Sequence, residues 1–175
     1  MKILLIEDEP QAAQRLEKLV MTIIPGVVVL DTQTREVVSL TEELAFLDSY
    51  IFLQKIRFGD NLTIQVDLAE TKSMVAPLAL QLLIENAIKH NIVSSGNPLM
   101  IKLSRSDTFI VIENDLQRKT TFGEPSQGIG LENIKNRYKF LSPIPVEVNE
   151  ANGKFSVKLP IIDVNYGNEN TADRR

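Results

Sequence analysis

Residues 83–91 of the chain read LIENAIKHN, and residues 128–133 read GIGLEN. The first stretch places an amide, a carboxylate and two basic groups on a predicted helix that is otherwise apolar. A buried polar side chain is costly unless something pairs with it, so a ligand is one natural partner. The second stretch predicts a glycine-rich helix start, whose free backbone N–H groups suit a phosphate. Together the two stretches indicate a nucleotide site.

The polar side chains of the first stretch can be given chemical roles from their spacing. Side chains four residues apart share one face of a helix, as Asn86 and His90 do, and Glu85 and Lys89 form a second such pair. The amide oxygen of Asn86 is a hard ligand of the kind that magnesium accepts beside water and phosphates. Lys89 and His90 suit phosphate oxygens, and Glu85 suits the orientation or deprotonation of an attacking group.

A purely structural interpretation of the same residues stays open. Glu85 and Lys89 could form an ordinary exposed ion pair, and His90 could simply end the helix. Gly128 and Gly130 could do no more than permit a tight turn. The order of the two stretches, the loop between them and the helix after Gly130 favour the nucleotide interpretation.

Composition narrows the classes of protein to consider. The chain has 175 residues, which suits one domain with an appendage or two small units. Its net charge of -4 means that it lacks the excess of positive charge typical of nucleic-acid-binding proteins, so nucleic acid is a poor candidate partner. With no cysteine and a single histidine, thiolate and histidine-rich metal sites are excluded, and a cytoplasmic setting is expected. No apolar run reaches membrane-spanning length.

The pattern of apolar residues predicts the secondary structure along the chain. Residues 3–6 and 27–30 read as strands around a helix that starts at Pro10, the opening β-α-β of a doubly wound fold. Residues 40–58 trace an amphipathic helix with Ser39 or Thr41 as its cap and Gly59 as its stop. The other predictions are strands at 62–68, 99–103, 109–113, 146–148 and 155–159, turns at 106–107 and 152–153, a loop at 115–127, and helices from Pro77 to about Ile92 and from Leu131 to Leu141.

Residues 37–162 resemble the catalytic, ATP-binding part of LytS-like sensor histidine kinases, within the GHKL ATPase superfamily. The stretches VSLTEEL at 38–44 and YIFLQKIRFG at 50–59 are similar to the second helix of that family's dimerisation hairpin. PLALQLLIENAIKH at 77–90 resembles its N box, and GIGLENIKNRY at 128–138 resembles its G2 box. The resemblance implies an α/β (α+β) two-layer sandwich of the Bergerat type, with a mixed sheet covered by helices on one face.

The resemblance also implies roles for individual residues. Asn86 would be the magnesium ligand, and Glu85 and Lys89 the catalytic residues. A lid over the phosphates is expected at 116–127. The residues implied to bind the nucleotide are Asn86, Lys89, His90, Asn114, Asp115, Gly128, Ile129, Gly130 and Leu131.

The adenine-reading position departs from the family's pattern. Where the superfamily usually has Asp-x-Gly-x-Gly, this chain has ENDL at 113–116, with Asn114 as the best counterpart of the adenine-reading aspartate. An Asn amide oxygen can still accept a hydrogen bond from the adenine amino group. It does so without charge assistance, so a lower affinity is expected.

The opening segment bears a different resemblance. MKILLIEDEP at 1–10 is similar to the start of a response-regulator receiver domain, with Glu7 and Asp8 matching its acidic magnesium pair. The family's phosphoacceptor aspartate should end a third strand, and no such strand is predicted. We therefore expect residues 1–32 to be a truncated β-α-β fragment that is not phosphorylated in the usual way and packs on helix 40–58.

The predicted organisation is a receiver-like fragment at 1–36, a hairpin helix at 37–59, an ATP-binding catalytic domain at 60–162 and a flexible tail at 163–175. The resemblance implies a two-component histidine kinase that uses ATP and Mg²⁺, acts with a response regulator and forms a homodimer through helix 40–58. The family's acceptor histidine lies before Val38, so it is expected in trans. Family members are often anchored in the membrane through other regions. The alternative is a non-catalytic nucleotide-binding or dimerisation module.

Overall fold

The computed structural model describes residues 2–5, 28–31, 35–69, 73–119 and 129–162. The chain divides into two compact units, residues 1–36 and 37–175. In the first unit, strands β1 (Lys2–Leu5) and β2 (Val28–Asp31) are paired in parallel. The helix predicted from Pro10 and the tail from residue 163 lie outside the described residues.

The second unit is built on a five-stranded mixed sheet with the strand order β4-β6-β7-β9-β8. β4 and β6 are parallel, and the remaining neighbours are antiparallel. A separate antiparallel ribbon joins β3 (Val38–Ser39) to β5 (Met74–Val75), and the sequence analysis missed it. The strands of the sheet are β4 (Leu62–Asp67), β6 (Leu99–Ser106), β7 (Phe109–Asp115), β8 (Glu147–Ala151) and β9 (Lys154–Pro160).

Three α-helices of the described residues belong to this unit: α1 (Leu40–Phe58), α2 (Ala79–His90) and α3 (Ile129–Leu141). A short 3-10 turn, Gly59–Asn61, follows α1. None of the described helices combines the length and the hydropathy that crossing a bilayer requires.

The start of α1 is set by a capping box. Ser39 Oγ accepts a hydrogen bond from the Glu42 amide at 3.2 Å, and Glu42 Oε2 accepts one from the Ser39 amide at 3.1 Å. The helix ends before Gly59, whose φ of 55° suits a residue without a side chain. The predicted helix 40–58 is therefore confirmed, with Ser39 as its cap.

Alternating burial along the strands shows which face of the sheet the helices cover. In β6, Leu99, Ile101 and Leu103 are buried, whereas Met100 and Lys102 are exposed. β7 shows the same alternation, and its buried residues face the core. Helices on one face of a mixed sheet form the two-layer α/β sandwich that was expected, so this fold class is confirmed.

Three element boundaries differ from the predicted ones. α2 ends at His90 rather than Ile92 because Asn91 turns to extended backbone and its Nδ2 donates to the Ala87 carbonyl at 2.8 Å. α3 begins two residues earlier than predicted, at Ile129. The first hairpin turns at residues 107–108 rather than 106–107, with Asp107 at a φ of 50°, because position 106 still pairs in the ladder. The turn at 152–153 is confirmed.

Candidate nucleotide-binding site

The two motif stretches meet in the structure at Asn86 and Gly130. A Cβ built on Gly130 would lie 3.3 Å from both Oδ1 and Nδ2 of the Asn86 side chain. Such a distance is tighter than ordinary van der Waals contact, so a side chain at position 130 would force the Asn86 amide to shift by a few tenths of an ångström. The half-buried Asn86 thus lies against the start of α3, where helical N–H groups lack intrahelical partners.

The polar side chains of α2 face different surroundings. Glu85, Lys89 and His90 are exposed, whereas Asn86 is half-buried. Six residues of the helix are buried in the core: Ala79, Leu80, Leu83, Ile84, Ala87 and Ile88. No ion pair among the described residues joins Glu85 to Lys89, so the ordinary salt bridge that was the structural alternative does not form.

Glu85 lies on the side of α2 that faces α1. Its negative charge helps to raise the pKa of Tyr50, on α1, to about 12, although burial of the phenol is the larger cause and Arg57 acts in the opposite direction. Glu85 and Asn86 therefore act on different neighbours, α1 and α3 respectively. An acid–base role for Glu85 would be exerted towards α1.

His90 lies at the positive end of the candidate site. Partial burial lowers the pKa of its imidazole, and the charges of Lys89, Lys119 and Arg118 lower it further. Arg118 also pairs with Glu150 on β8. The concentration of cations around His90 is suited to an anionic ligand, since a phosphate would relieve their mutual repulsion.

Residues 116–119, at the start of the predicted lid, are fastened to the end of α2. Asn91 Oδ1 accepts from the Gln117 amide at 2.7 Å, and the Ile92 amide donates to the Gln117 carbonyl at 2.7 Å. Lys119 Nζ donates to the carbonyls of Ile88 and Lys89 at 3.0 and 3.1 Å. This end of the loop is therefore anchored, and the rest of the predicted lid, from residue 120, lies outside the described residues.

Asn114 is a polar residue on the buried face of the central strand β7. It lies on the same face as Ile110 and Ile112, it is 4% exposed, and its Nδ2 donates to the Asp115 carbonyl at 2.7 Å. Asp115 is the next residue of the strand, so its side chain points to the opposite face. The structure thus brings Asn114 to the helix-covered side of the sheet and places Asp115 away from it.

The remaining motif residues belong to the glycine-rich stretch. Gly128 lies outside the described residues. Ile129 begins α3, and Leu131 is half-buried against the core. The candidate site in the described residues is therefore formed by the second half of α2, the first turn of α3 and the end of β7.

Sequence reasoning missed the residues that hold α2 in place. Glu43 on α1 is buried and accepts hydrogen bonds from the Leu78 and Leu80 amides at 2.9 and 3.0 Å. On α3, Tyr138 and Arg137 contact the segment that precedes α2. Their only sequence signal was a place inside the family-like stretches, because contacts between distant elements have no local pattern.

A cavity of about 430 Å³ opens beside the end of α1 and the start of β4. Its lining includes Lys55, Asp60 and Thr63, and none of the candidate site residues. The position of this cavity therefore does not link it to the candidate site on α2.

Comparison with known proteins tests the resemblance. A family model described as histidine kinase matches residues 1–62. The sensor protein LytS of Staphylococcus saprophyticus is 28% identical over 117 residues, which cover 57% of this chain and 20% of that protein. The sensor histidine kinase YpdA of Escherichia coli is 29% identical over 127 residues, which cover 64% of this chain and 22% of that protein. The matched part is thus about a fifth of the length of these relatives.

A solved structure supports the same fold. The cytoplasmic segment of histidine kinase QseC aligns with a TM-score of 0.52 and 18% identity, covering 92% of this chain and 99% of that one. The chain therefore has the fold of that kinase segment, and its relatives include LytS-like sensor histidine kinases. The resemblance read from residues 37–162 is confirmed, whereas the receiver-like character of residues 1–32 stays a prediction.

Proposed function

We propose that residues 37–162 form the ATP- and magnesium-binding catalytic domain of a two-component sensor histidine kinase. The observation that carries the proposal is the contact between Asn86 and Gly130, which joins two motifs 44 residues apart in sequence around one amide. A side chain at position 130 would crowd the Asn86 amide, because the two groups approach so closely. Such an approach suits the start of a helix that must share a small ligand with Asn86.

The residues present fit a magnesium–nucleotide ligand. Among the described residues, no group of three or more His, Asp or Glu side chains could hold a metal by itself. Magnesium often takes only one or two protein ligands and completes its shell with water and phosphate oxygens, so Asn86 suffices as the protein ligand. The bound ion would neutralise charge on the phosphates.

The other site residues would bind and position ATP. The first turn of α3, with Gly130, and the cations Lys89 and His90 would contact the phosphates. Asn114 would accept from the adenine amino group on the covered face of the sheet. Phosphoryl transfer depends mainly on such positioning and charge neutralisation.

The acceptor would be a histidine outside these residues. The chain contains one histidine, His90, which would contact the phosphates. An imidazole nitrogen of the acceptor would attack the γ-phosphorus, the bond to the bridging β–γ oxygen would break, and ADP would leave. Glu85, whose charge acts on Tyr50 of α1, would accept the proton that the acceptor loses.

The test is a calorimetric titration of the whole chain with ATP, with and without magnesium. We expect magnesium-dependent binding that Asn86→Ala weakens at least tenfold, because the ligand oxygen is removed. Asn149→Ala is the matched control, since Asn149 is exposed on β8. Equal affinities of the Asn86→Ala variant and the wild type would contradict the proposal.

A second candidate function, a non-catalytic nucleotide-binding module, is favoured by the neutral Asn114 at the adenine position. Such a module would bind nucleotide and transfer nothing. A hairpin peptide that carries the acceptor histidine, supplied with ATP labelled at the γ-phosphate, separates the two functions. Labelled peptide indicates the kinase, whereas binding of ATP without labelling indicates the module.

We further propose a homodimer through α1 and a response regulator as the downstream partner. α1 exposes Phe52, Leu53 and Ile56 by 64%, 60% and 68%, which is costly for large apolar side chains close together on one helix. Sedimentation of the whole chain tests the dimer, and Phe52→Ser with Ile56→Ser should shift it to the monomer. A dimer that survives both substitutions would place the interface elsewhere.

A further inference from the structure

The start of α2 lacks the usual local cap. Leu78 occupies the N-cap position with a φ of 62°, a left-handed conformation that a leucine rarely adopts. Its side chain has no oxygen to offer the free N–H groups of the first turn. The Ala79 amide donates to the nearby Ala76 carbonyl at 3.2 Å, and other N–H groups at this end of the motif helix depend on another element.

Glu43 on α1 supplies those hydrogen bonds. Its Oε2 accepts from the Leu78 amide at 2.9 Å, and its Oε1 accepts from the Leu80 amide at 3.0 Å. The side chain is 3% exposed, so both bonds are shielded from water. A carboxylate is well suited to this place because the N-terminus of a helix carries partial positive charge.

Two residues of α3 also contact the turn that precedes α2. Tyr138 Oη accepts a hydrogen bond from the Ala76 amide at 3.3 Å, and Arg137 donates to the Pro77 carbonyl at 3.2 Å. The first turn of α3 in turn lies against Asn86 through Gly130. A continuous series of contacts thus runs from Glu43 through the turn and α3 to the Asn86 amide.

We propose that Glu43 is a positioning residue of the nucleotide site, through which α1 sets the placement of α2 and of Asn86. The inference rests on the proposed nucleotide function and adds to it a regulatory link from α1. A movement of α1 must either carry the start of α2 with it or break two buried hydrogen bonds. Because Asn86 lies on the same helix, we expect either change to alter its contact with α3.

Protonation of Glu43 can be followed because its surroundings are defined. Burial raises the pKa of its carboxyl, while the amides of Leu78, Leu80 and Gln81 and the charge of Arg137 act in the opposite direction. Tyr138 also faces it, and the charge of Glu43 contributes to the raised pKa of that phenol. The Leu78 and Leu80 amides report directly on whether their acceptor is charged.

The test compares Glu43→Gln with Asp48→Asn in the whole chain. Asp48 is an exposed acidic residue on the same helix, so its variant controls for loss of charge. NMR spectra are recorded well below the melting temperature, with and without magnesium and ATP. We expect Glu43→Gln to shift the backbone resonances of Leu78 and Leu80 and the side-chain amide resonances of Asn86, and to weaken ATP binding about tenfold, as suits a lost charged hydrogen bond.

The outcomes separate positioning from simple stability. A lower melting temperature with unchanged Asn86 resonances and unchanged affinity would overturn the inference. If the variant does not fold, titration of the wild type decides: the Leu78 and Leu80 amides and the side-chain amide of Asn86 must titrate together above the ordinary pKa of 4.5, and Asn86 resonances that do not follow the two amides would overturn it. If the wild type binds no ATP, the proposed function fails, whereas the Asn86 resonances still test the link.

Discussion

The two ends of α2 are held in different ways, although both are held by other parts of the chain. At the N-terminal end, one buried carboxylate, that of Glu43, accepts two hydrogen bonds. At the C-terminal end, the exposed Lys119 and the buried Asn91 share the task with the backbone of residues 117–119. The signs of the charges suit the helix dipole at both ends.

The difference shows where the motif helix is vulnerable. At the N-terminal end, two buried hydrogen bonds depend on one side chain, so a single substitution at Glu43 removes both of them. The C-terminal end has several partners, some of them backbone groups that no substitution removes. We therefore expect substitutions at the contact with α1 to lower the free energy of unfolding more than substitutions at the contact with the loop at 116–119.

The largest expected effect is at the N-terminal end. Glu43→Ala leaves two buried N–H groups without acceptors, and we expect a loss of about 3 kcal/mol in the free energy of unfolding, after relief of the carboxylate's desolvation. Urea denaturation at neutral pH measures it. Asp48→Ala, the exposed control on α1, should stay within about 0.5 kcal/mol of the wild type.

Asn91→Ala should have the next largest effect. The substitution removes the bonds from Nδ2 to the Ala87 carbonyl and from the Gln117 amide to Oδ1, and we expect a loss of about 1.5 kcal/mol in the free energy of unfolding. Hydrogen exchange at the Gln117 amide should also become faster. Asn97→Ala, at an exposed position next to the turn at 95–96, is the control. A loss as large as that of Glu43→Ala would remove the contrast between the two ends.

The features that could be predicted from the sequence depend on local contacts. The features that were missed depend on contacts between residues that are distant in sequence. The helix cap, expected at Ser39 or Thr41, the hairpin turn at 152–153 and the apolar face of α2 have local signatures and were predicted, whereas the reciprocal bond from Glu42 was not. Glu43 was visible only as an acidic residue of α1, because its partners lie 35 and 37 positions away.

In the candidate site, the meeting of Asn86 with Gly130 was expected from the two motifs, and the structure has it. The opposite directions of Asn114 and Asp115 follow from strand alternation, which becomes readable only once β7 is known to extend to residue 115. The contacts of Lys119 and Asn91 with the loop had no pattern in the sequence. They depend on where α2 ends, which Asn91 itself determines through its bond to Ala87.

Lys119→Ala should have a smaller effect than either substitution above. Its ammonium is exposed, and the carbonyls of Ile88 and Lys89 can bond to water instead. We expect a loss of about 0.5 kcal/mol in the free energy of unfolding, decreasing further in high salt. Parallel urea denaturation at low and high salt measures it. A loss independent of salt would mean that packing of the lysine stem, rather than its charge, holds this end.

The pH dependence of unfolding also distinguishes the two ends of α2, through the ionisation of Glu43. The pKa of Glu43 is raised in the folded protein, so its ionisation is disfavoured there. Its contribution is fully present below the ordinary pKa of 4.5 and is lost as the pH rises through the folded pKa. The stability of the wild type relative to Glu43→Gln should therefore fall over that range, as thermal melts at a series of pH values would show. A difference that rises with pH would reverse the assigned sign.

The smallest expected effect is at His90, beside the C-terminal end. Burial lowers the pKa of this imidazole, and Lys89, Lys119 and Arg118 lower it further, so its contribution to stability is present above pH 6.5 and lost as the pH falls through the folded pKa. Lys119→Ala removes one of those cations, and the pKa should move back towards its ordinary value; NMR titration of the imidazole measures the shift. Bound ATP should raise the pKa further in the same direction, because phosphate charge offsets the remaining cations. If the imidazole titrates identically with and without ATP, His90 does not lie at the phosphates. If ATP shifts its pKa but Lys119→Ala does not, Lys119 acts on the helix end and not on the histidine.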